Sequence, residues 1–401
     1  MKNLAFVSLM LTSGMMSCSE EASSLKPIEE TSIRRLYSAD SLNHIDLATL
    51  QQFSALAGNH EITALVQHGV ETFRIVYTTT FHGKTIQASG LLYVPSNLKE
   101  SAPLISLQHG TTFRKDEAPS ESGQFTGMEY FASAGYIALM PDYIGYGASS
   151  QYFHPYYDRK SAALSVIDMI HAVKEFLNTK EIAFNDQLFL AGYSEGGYVT
   201  LAAAEEIESN PEHNLEVTAV AAGAGGYDLV SMLESITSSS YYAYPGYLAF
   251  VLMSYNTTYE WNRPLTDFFQ DKYAAILPNY MNGNYGGGQI NSKLTTKVSS
   301  LLAPEFYQQL NDESKETELR KALQDNSVSG WNTNIPIRLY HGTGDEIIPY
   351  QNSETTLKNF KAAGSQAVSL TLIPGGTHGS SFVRMLEKFV PWFEILRKEE
   401  L

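Results

Sequence analysis

The chain of 401 residues holds a single cysteine, Cys18, so no intrachain disulfide framework can support it. Basic residues are also few: 27 Lys and Arg stand against 43 Asp and Glu, a formal net charge of −16. No cluster of Lys and Arg occurs, which argues against nucleic-acid partners and against steering toward anionic membrane surfaces. No His/Cys cluster has ligand spacing and His-Glu-x-x-His is absent, so neither a metal nor another cofactor is expected. Long hydrophobic runs are missing as well. The apolar stretch from Leu4 to Met16, about 13 residues, falls short of the roughly 20 that a membrane-spanning helix needs. What remains is ordinary for a globular enzyme: a hydrophobic fraction of 43%, a charged fraction of 17% and no internal repeat. One large core, or one core with a sizeable insertion, is expected.

Lys2 followed by that apolar stretch reads as a cleavable signal peptide over residues 1–18. Met15-Met16-Ser17-Cys18 resembles a bacterial lipobox, in which the cysteine becomes the lipidated first residue, although Met15 stands where Leu is usual. The acidic pair in Ser19-Glu20-Glu21 resembles the export tethers of some Gram-negative surface lipoproteins. The expectation is an exported lipoprotein of the cell envelope, at the outer membrane or cell surface, touching the membrane only through its anchor. The alternative is an ordinary secretory peptide with a cysteine nearby by chance. Residues 19–33, small, polar and acidic, read as a flexible tether.

Beyond the tether the pattern predicts an α/β core over residues 34–225 and 332–401. Helix-like spacing around Leu47, Leu50, Phe53 and Leu56 marks an N-terminal extension spanning Arg34 to Val70. Phe73–Thr80 and Thr85–Val94 read as strands joined at His82-Gly83. Leu104–Gln108, Tyr136–Met140 and Leu188–Ala191 are short apolar runs suited to strands buried on both faces, and Val217–Ala222, Ile337–Tyr340 and Val368–Ile373 complete the strands. Helical spacing over Ser161–Leu177, Tyr198–Ile207 and Phe382–Leu396 alternates with them, the signature of a mostly parallel, doubly wound sheet. Residues 226–331 break this rhythm. They show no strand and are crowded with aromatic residues, among them Tyr241, Tyr255, Trp261, Phe268 and Phe269, so a largely helical cap insertion is expected. Most of these rings are expected to build a small core of the cap's own.

Gly192-Tyr193-Ser194-Glu195-Gly196 matches G-x-S-x-G, directly after one predicted strand and directly before a helix. A sharp turn there would raise the Ser194 hydroxyl above the sheet, and a side chain at either flanking glycine would collide. A serine hydroxyl needs a base to take its proton. His378, in Gly375-Gly376-Thr377-His378-Gly379, follows the last predicted strand, and Asp345 follows the one before it, both at strand carboxyl ends. Glu346 is the rival acid. His341 is assigned to hydrogen bonding within its own loop. The oxyanion of a tetrahedral intermediate needs two donors. The N–H of Glu195 is one, and the Gln108-His109-Gly110-Thr111-Thr112 loop supplies the other: the N–H of Thr111, with the Thr112 side chain a weaker candidate and Gly110 allowing close approach. Asp142 is read as ending its strand and bonding the following turn.

Together with Pro141-Asp142-Tyr143-Ile144-Gly145-Tyr146-Gly147 and His154-Pro155-Tyr156, these motifs resemble the α/β-hydrolase superfamily, and more narrowly the secretory lipase family and its bacterial relatives. The resemblance runs from about residue 70 to the C-terminus. It implies hydrolysis of carboxylic esters, often of acylglycerols, with a cap over the acyl pocket and with Ser194, Asp345 and His378 as the catalytic residues. The implied partner is a small-molecule or lipid ester. Two other hydrolases share the core: a serine exopeptidase of the prolyl-oligopeptidase type, and a polysaccharide acetyl or feruloyl esterase using cap aromatics to stack sugars. A noncatalytic binding module is the remaining alternative.

Overall fold

The computed structural model describes residues 34–56 and 65–398. The expected signal peptide, Cys18 and the tether lie outside the described residues. Among the described residues nine strands share one sheet: β1 (Leu36–Ile45), β2 (Val70–Phe81), β3 (Lys84–Pro95), β4 (Ala102–Gln108), β5 (Ile137–Pro141), β6 (Phe184–Tyr193), β7 (Ala219–Gly223), β8 (Ile337–Gly342) and β9 (Val368–Ile373). Their order is β1-β2-β3-β5-β4-β6-β7-β8-β9. The pairings from β1 to β5 along this order are antiparallel, and those from β5 to β9 are parallel. The longer helices are α1 (Leu47–Leu56), α2 (Arg159–Thr179), α3 (Glu195–Ser209), α4 (Leu229–Ser238), α5 (Pro245–Thr258), α6 (Thr317–Asn326), α7 (Gln351–Ala362) and α8 (His378–Leu396). This is the mostly parallel, doubly wound α/β sheet expected from the strand rhythm.

The apolar runs have a simple cause. Along β6, Leu188 and Leu190 face a cluster with α2 and α3, while Phe189 and Ala191 face one with α1 and α8. Successive residues point to opposite faces, and both faces are covered, so every position from Leu188 to Ala191 is apolar. Where β2 turns into β3, Phe81 pairs with Lys84 across His82 and Gly83. Both turn residues take positive φ, 49° and 68°, the geometry that matches the twist of a tight hairpin.

Two segments depart from the sequence reading. Leu36–Ile45 is not part of a helical extension but an edge strand, antiparallel to β2, while the helical spacing belongs to α1 alone. Much of β1 is exposed, so it carries little apolar pattern. Pairing with β2 holds it, and Glu175 accepts the N–H groups of Arg35 and Leu36 at 2.7 and 2.9 Å. The second departure concerns residues 226–331, which run through α4, α5, several short helices and α6 between β7 and β8. Their aromatic rings do not form a separate core. Tyr255, Phe268, Phe269 and Phe306 belong to the same buried cluster as Leu190 and Tyr198. The reason is α5, which buries every residue from Leu248 to Tyr255 and therefore has apolar neighbours on all sides.

Candidate active site

The end of β6 carries the central serine. Ser194 has φ 61° and ψ −126°, a conformation that costs a non-glycine residue about 1–3 kcal/mol and persists only where its surroundings enforce it. Three glycines make the enforcement possible. A methyl group at Gly192 would strike the Gly196 carbonyl, at Gly196 the Gln108 carbonyl, and at Gly197 the Gly223 carbonyl. The turn is thus closed on β4 and β7 by backbone-to-backbone approach. The Ser194 N–H donates to Gly223 O at 2.8 Å, and Ser194 O accepts from Gly197 N–H at 2.9 Å.

Two loops reach this serine. Gly344 N–H donates to Gly376 O at 3.0 Å and Thr343 N–H to Ile373 O at 3.0 Å, which fastens the loop after β8 to the loop after β9. The structure thereby brings His378 Nε2 to 2.9 Å from Ser194 Oγ and His378 Nδ1 to 2.7 Å from Asp345 Oδ2. Tyr193 OH donates to His378 O at 2.6 Å, and the Thr377 hydroxyl accepts the Ser380 N–H, capping α8 just where the imidazole leaves it.

Asp345 has no exposed side-chain surface. Its Oδ1 accepts the N–H groups of Ile347 and Ile348, both at 2.9 Å, and Oδ2 also lies 3.3 Å from His341 Nε2. Burial alone would raise its pKa, but the bonds to His341 and His378 outweigh burial and hold the carboxyl well below the ordinary carboxylate range. His341 bonds Ser353 Oγ and Ile348 O within its own region, as expected, but its contact with Asp345 was not foreseen. The rival acid, Glu346, does not reach the imidazole through a hydrogen bond. Its Oε2 instead accepts the backbone N–H of His378 at 3.2 Å.

The loop after β4 lies beside Ser194. A methyl at Gly110 would meet Ser194 Cβ at 3.6 Å, an ordinary contact, so the approach of this loop does not depend on the absence of a side chain there, contrary to expectation. The N–H groups of Thr111 and Glu195 have no protein acceptor among the described residues. The Thr112 hydroxyl is occupied, donating to Arg114 O at 2.7 Å, while the Thr111 hydroxyl bonds Tyr156 OH at 3.0 Å. His109 stacks on Tyr143 with centroids 4.2 Å apart and bonds Gly110 O. Asp142 is fully buried, and rather than the turn after it, it bonds Ser89 Oγ (2.6 Å) and Ser120 N–H and Oγ (2.8 and 2.5 Å). Burial pushes its carboxyl up.

Ser194 opens on a narrow, largely filled apolar cleft walled by Leu229, Met232 and Leu233 of α4, by Leu248, Val251 and Leu252 of α5, and by Ile347 and Ile348 beside Asp345. Among the described residues no group of three or more His, Cys, Asp or Glu is placed to hold a metal ion, and no described helix is long and apolar enough to cross a membrane. One buried pair went unnoticed in the sequence: His154 Nε2 lies 2.7 Å from Glu195 Oε1. His154-Pro-Tyr was noted there only as part of a resemblance, and Glu195 only for its backbone.

Residues 126–387 match the family model described as secretory lipase. Lipase 6 of Candida albicans is 25% identical over 249 residues, covering 57% of this chain and 48% of that protein. Lipase 2 of the same organism is 23% identical over 229 residues, covering 55% and 46%. The chain thus spans about half the length of the curated relatives it matches. Among solved structures, a putative hydrolase of Legionella pneumophila superposes with a TM-score of 0.82 at 26% identity, over 92% of this chain and 99% of that one. The rice cell wall degrading esterase LipA of Xanthomonas oryzae gives 0.78 at 24%, over 91% and 99%, a likeness of fold. Candida antarctica lipase A in its closed state gives 0.64 at 15%, over 92% and 83%.

Proposed function

This chain belongs to the secretory lipase family, and we propose that it hydrolyses carboxylic esters with apolar acyl groups through an acyl-enzyme on Ser194. The observation that carries this reading is the relay from Asp345 through His378 to a strained serine at the mouth of an apolar cleft. His378, holding its proton on Nδ1 toward Asp345, takes the Ser194 proton at Nε2 as Oγ attacks the ester carbonyl. The free N–H groups of Glu195 and Thr111 hold the oxyanion. The imidazolium then protonates the departing alcohol, and water hydrolyses the acyl-enzyme by the same path in reverse. Residues 226–331 act as a cap whose α4 and α5 side chains receive the acyl chain.

Covalent labelling by a fluorophosphonate, together with a p-nitrophenyl ester series from acetate to palmitate, tests this. Labelling of the wild type and its loss in Ser194→Ala are expected, with turnover highest for chains longer than acetate. Labelling that survives in Ser194→Ala would overturn the role of Ser194. A maximum at acetate would favour a carbohydrate esterase, the reading nearer to the rice cell wall degrading neighbour. For location, the family points to export, and the finer reading is a lipid on Cys18 that anchors the protein to the cell envelope. Metabolic palmitate labelling that is lost in Cys18→Ser is the expected result.

A further inference from the structure

We propose that His154 is a positioning residue for the oxyanion donor of Glu195, acting through the buried Glu195 side chain. This rests on the ester-hydrolase reading above. His154 Nδ1 lies 2.6 Å from Ile144 O, and a carbonyl only accepts, so Nδ1 carries a proton. Nε2 faces Glu195 Oε1 at 2.7 Å, and one further proton lies in that bond. The two side chains are 6% and 3% exposed, enclosed by the rings of Tyr143, Tyr146 and Phe250. A polar pair in such surroundings is a weak source of stability compared with apolar packing, so its presence needs another reason.

Geometry supplies one. Glu195 is the first residue of α3 and follows the strained Ser194 directly. The Ser194–Glu195 peptide plane sets where the Glu195 N–H points. With the far end of the Glu195 side chain held by His154, the position of Cα of Glu195, and with it that of the adjoining N–H, is constrained. His154 is itself clamped: its carbonyl accepts from Ser254 Oγ of α5 at 3.0 Å. Three residues on, Tyr157 O accepts from both Tyr198 OH of α3 and Tyr255 OH of α5, at 3.1 and 3.0 Å. Segment 154–157 therefore ties the nucleophile helix to α5.

Two substitutions separate the two bonds of the ring. In H154N the amide takes the place of Nδ1 and keeps the bond to Ile144 O but cannot reach Glu195. In H154Q the longer amide reaches Glu195. H154N should lower kcat about tenfold to a hundredfold, with KM moving less than about threefold, because a misaimed donor weakens only transition-state binding. H154Q should recover most of that loss even where both variants unfold at the same lowered denaturant midpoint. The rate of fluorophosphonate labelling should follow kcat, since it needs the same donors and no ester. A labelling rate for H154N within about threefold of wild type, or equal losses in H154N and H154Q, would overturn the positioning role. Wild-type protein that labels normally but cleaves no p-nitrophenyl ester would sink the esterase reading alone, and the labelling rates would still decide the role of His154.

Discussion

Replacing Asp345 by asparagine changes one oxygen to an amide and leaves the shape intact, so its outcome can be worked out bond by bond. Oδ1 accepts two backbone N–H groups at 2.9 Å, and Oδ2 faces His378 Nδ1 at 2.7 Å. An amide turned with its NH2 toward Ile347 and Ile348 would set donors against donors and strand two buried N–H groups, about 1–3 kcal/mol each. The other orientation wins: the amide oxygen replaces Oδ1, and the NH2 faces His378. His378 must then accept at Nδ1 and carry its proton on Nε2, pointing at Ser194. A base that already holds its proton cannot take another, and a reversed tautomer of this kind lowers kcat by about 10⁴. That is about 5.4 kcal/mol of transition-state stabilisation.

The assay is steady-state hydrolysis of a p-nitrophenyl ester by purified D345N, with E346Q as control. D345N should lose between about 10³ and 10⁴ in kcat, and E346Q, whose carboxylate touches only a backbone N–H, should stay within about threefold. D345N retaining a tenth of wild-type kcat would refute the orientation argument. A second reading comes from pH. Because the Asp345 carboxyl is held below its unfolded value of about 3.9, the stability it contributes is complete above that value and is lost as pH falls through the lower folded one. The stability advantage of wild type over D345N should therefore hold between pH 7 and about pH 5 and shrink as pH falls below about 4.

Gly196→Ala would drive a methyl into the Gln108 carbonyl and should cost about 1–3 kcal/mol in urea unfolding, with activity falling in parallel; unchanged stability would contradict the close approach of α3 to β4. Tyr193→Phe removes the bond to His378 O and should lower stability by about 1 kcal/mol with a smaller loss of kcat than D345N. Met232→Trp places a larger side chain in the cleft wall and should shift the preferred p-nitrophenyl ester to shorter chains without reducing acetate turnover; an unshifted profile would mean the acyl group lies elsewhere. Ser194→Gly should be more stable than Ser194→Ala by about 1 kcal/mol, since glycine alone relieves the positive φ; equal stabilities would remove the claim of strain.

How much of this was legible in the sequence depended on how local each signal was. β4 and β6 announced themselves because strands covered on both faces carry short, mostly apolar runs, Leu104–Leu107 and Leu188–Ala191, and β9 spans the predicted Val368–Ile373, where apolar residues alternate with Ser369 and Thr371. β1 did not, because an exposed edge strand is specified by its neighbour and not by its own pattern. Ser194, Asp345 and His378 could be singled out separately, each from glycine-rich turn chemistry at a strand end, though nothing in their spacing gives a distance. The pair of His154 and Glu195 was illegible for a different reason. It joins residues 41 positions apart through side chains alone, and nothing in either local pattern demands the other.

The strained serine shows how these levels depend on one another. A side chain at φ 61° persists only if the backbone on both sides has nowhere else to go. Upstream, β6 is held by parallel pairing with β4 and β7, so Tyr193 cannot shift. Downstream, Gly196 and Gly197 sit so close to β4 and β7 that α3 cannot retreat without opening a gap against both strands. The same contact sets Gln108 O, and with it the start of the loop bearing Thr111, against the first turn of α3. The crowding that forbids a side chain at Gly196 therefore also fixes the distance between the loop carrying Thr111 and the helix that begins at Glu195. Relaxing the turn to relieve Ser194 would move the Thr111 and Glu195 N–H groups apart, so in this fold the backbone strain and the alignment of the two N–H groups proposed to hold the oxyanion have a single structural origin.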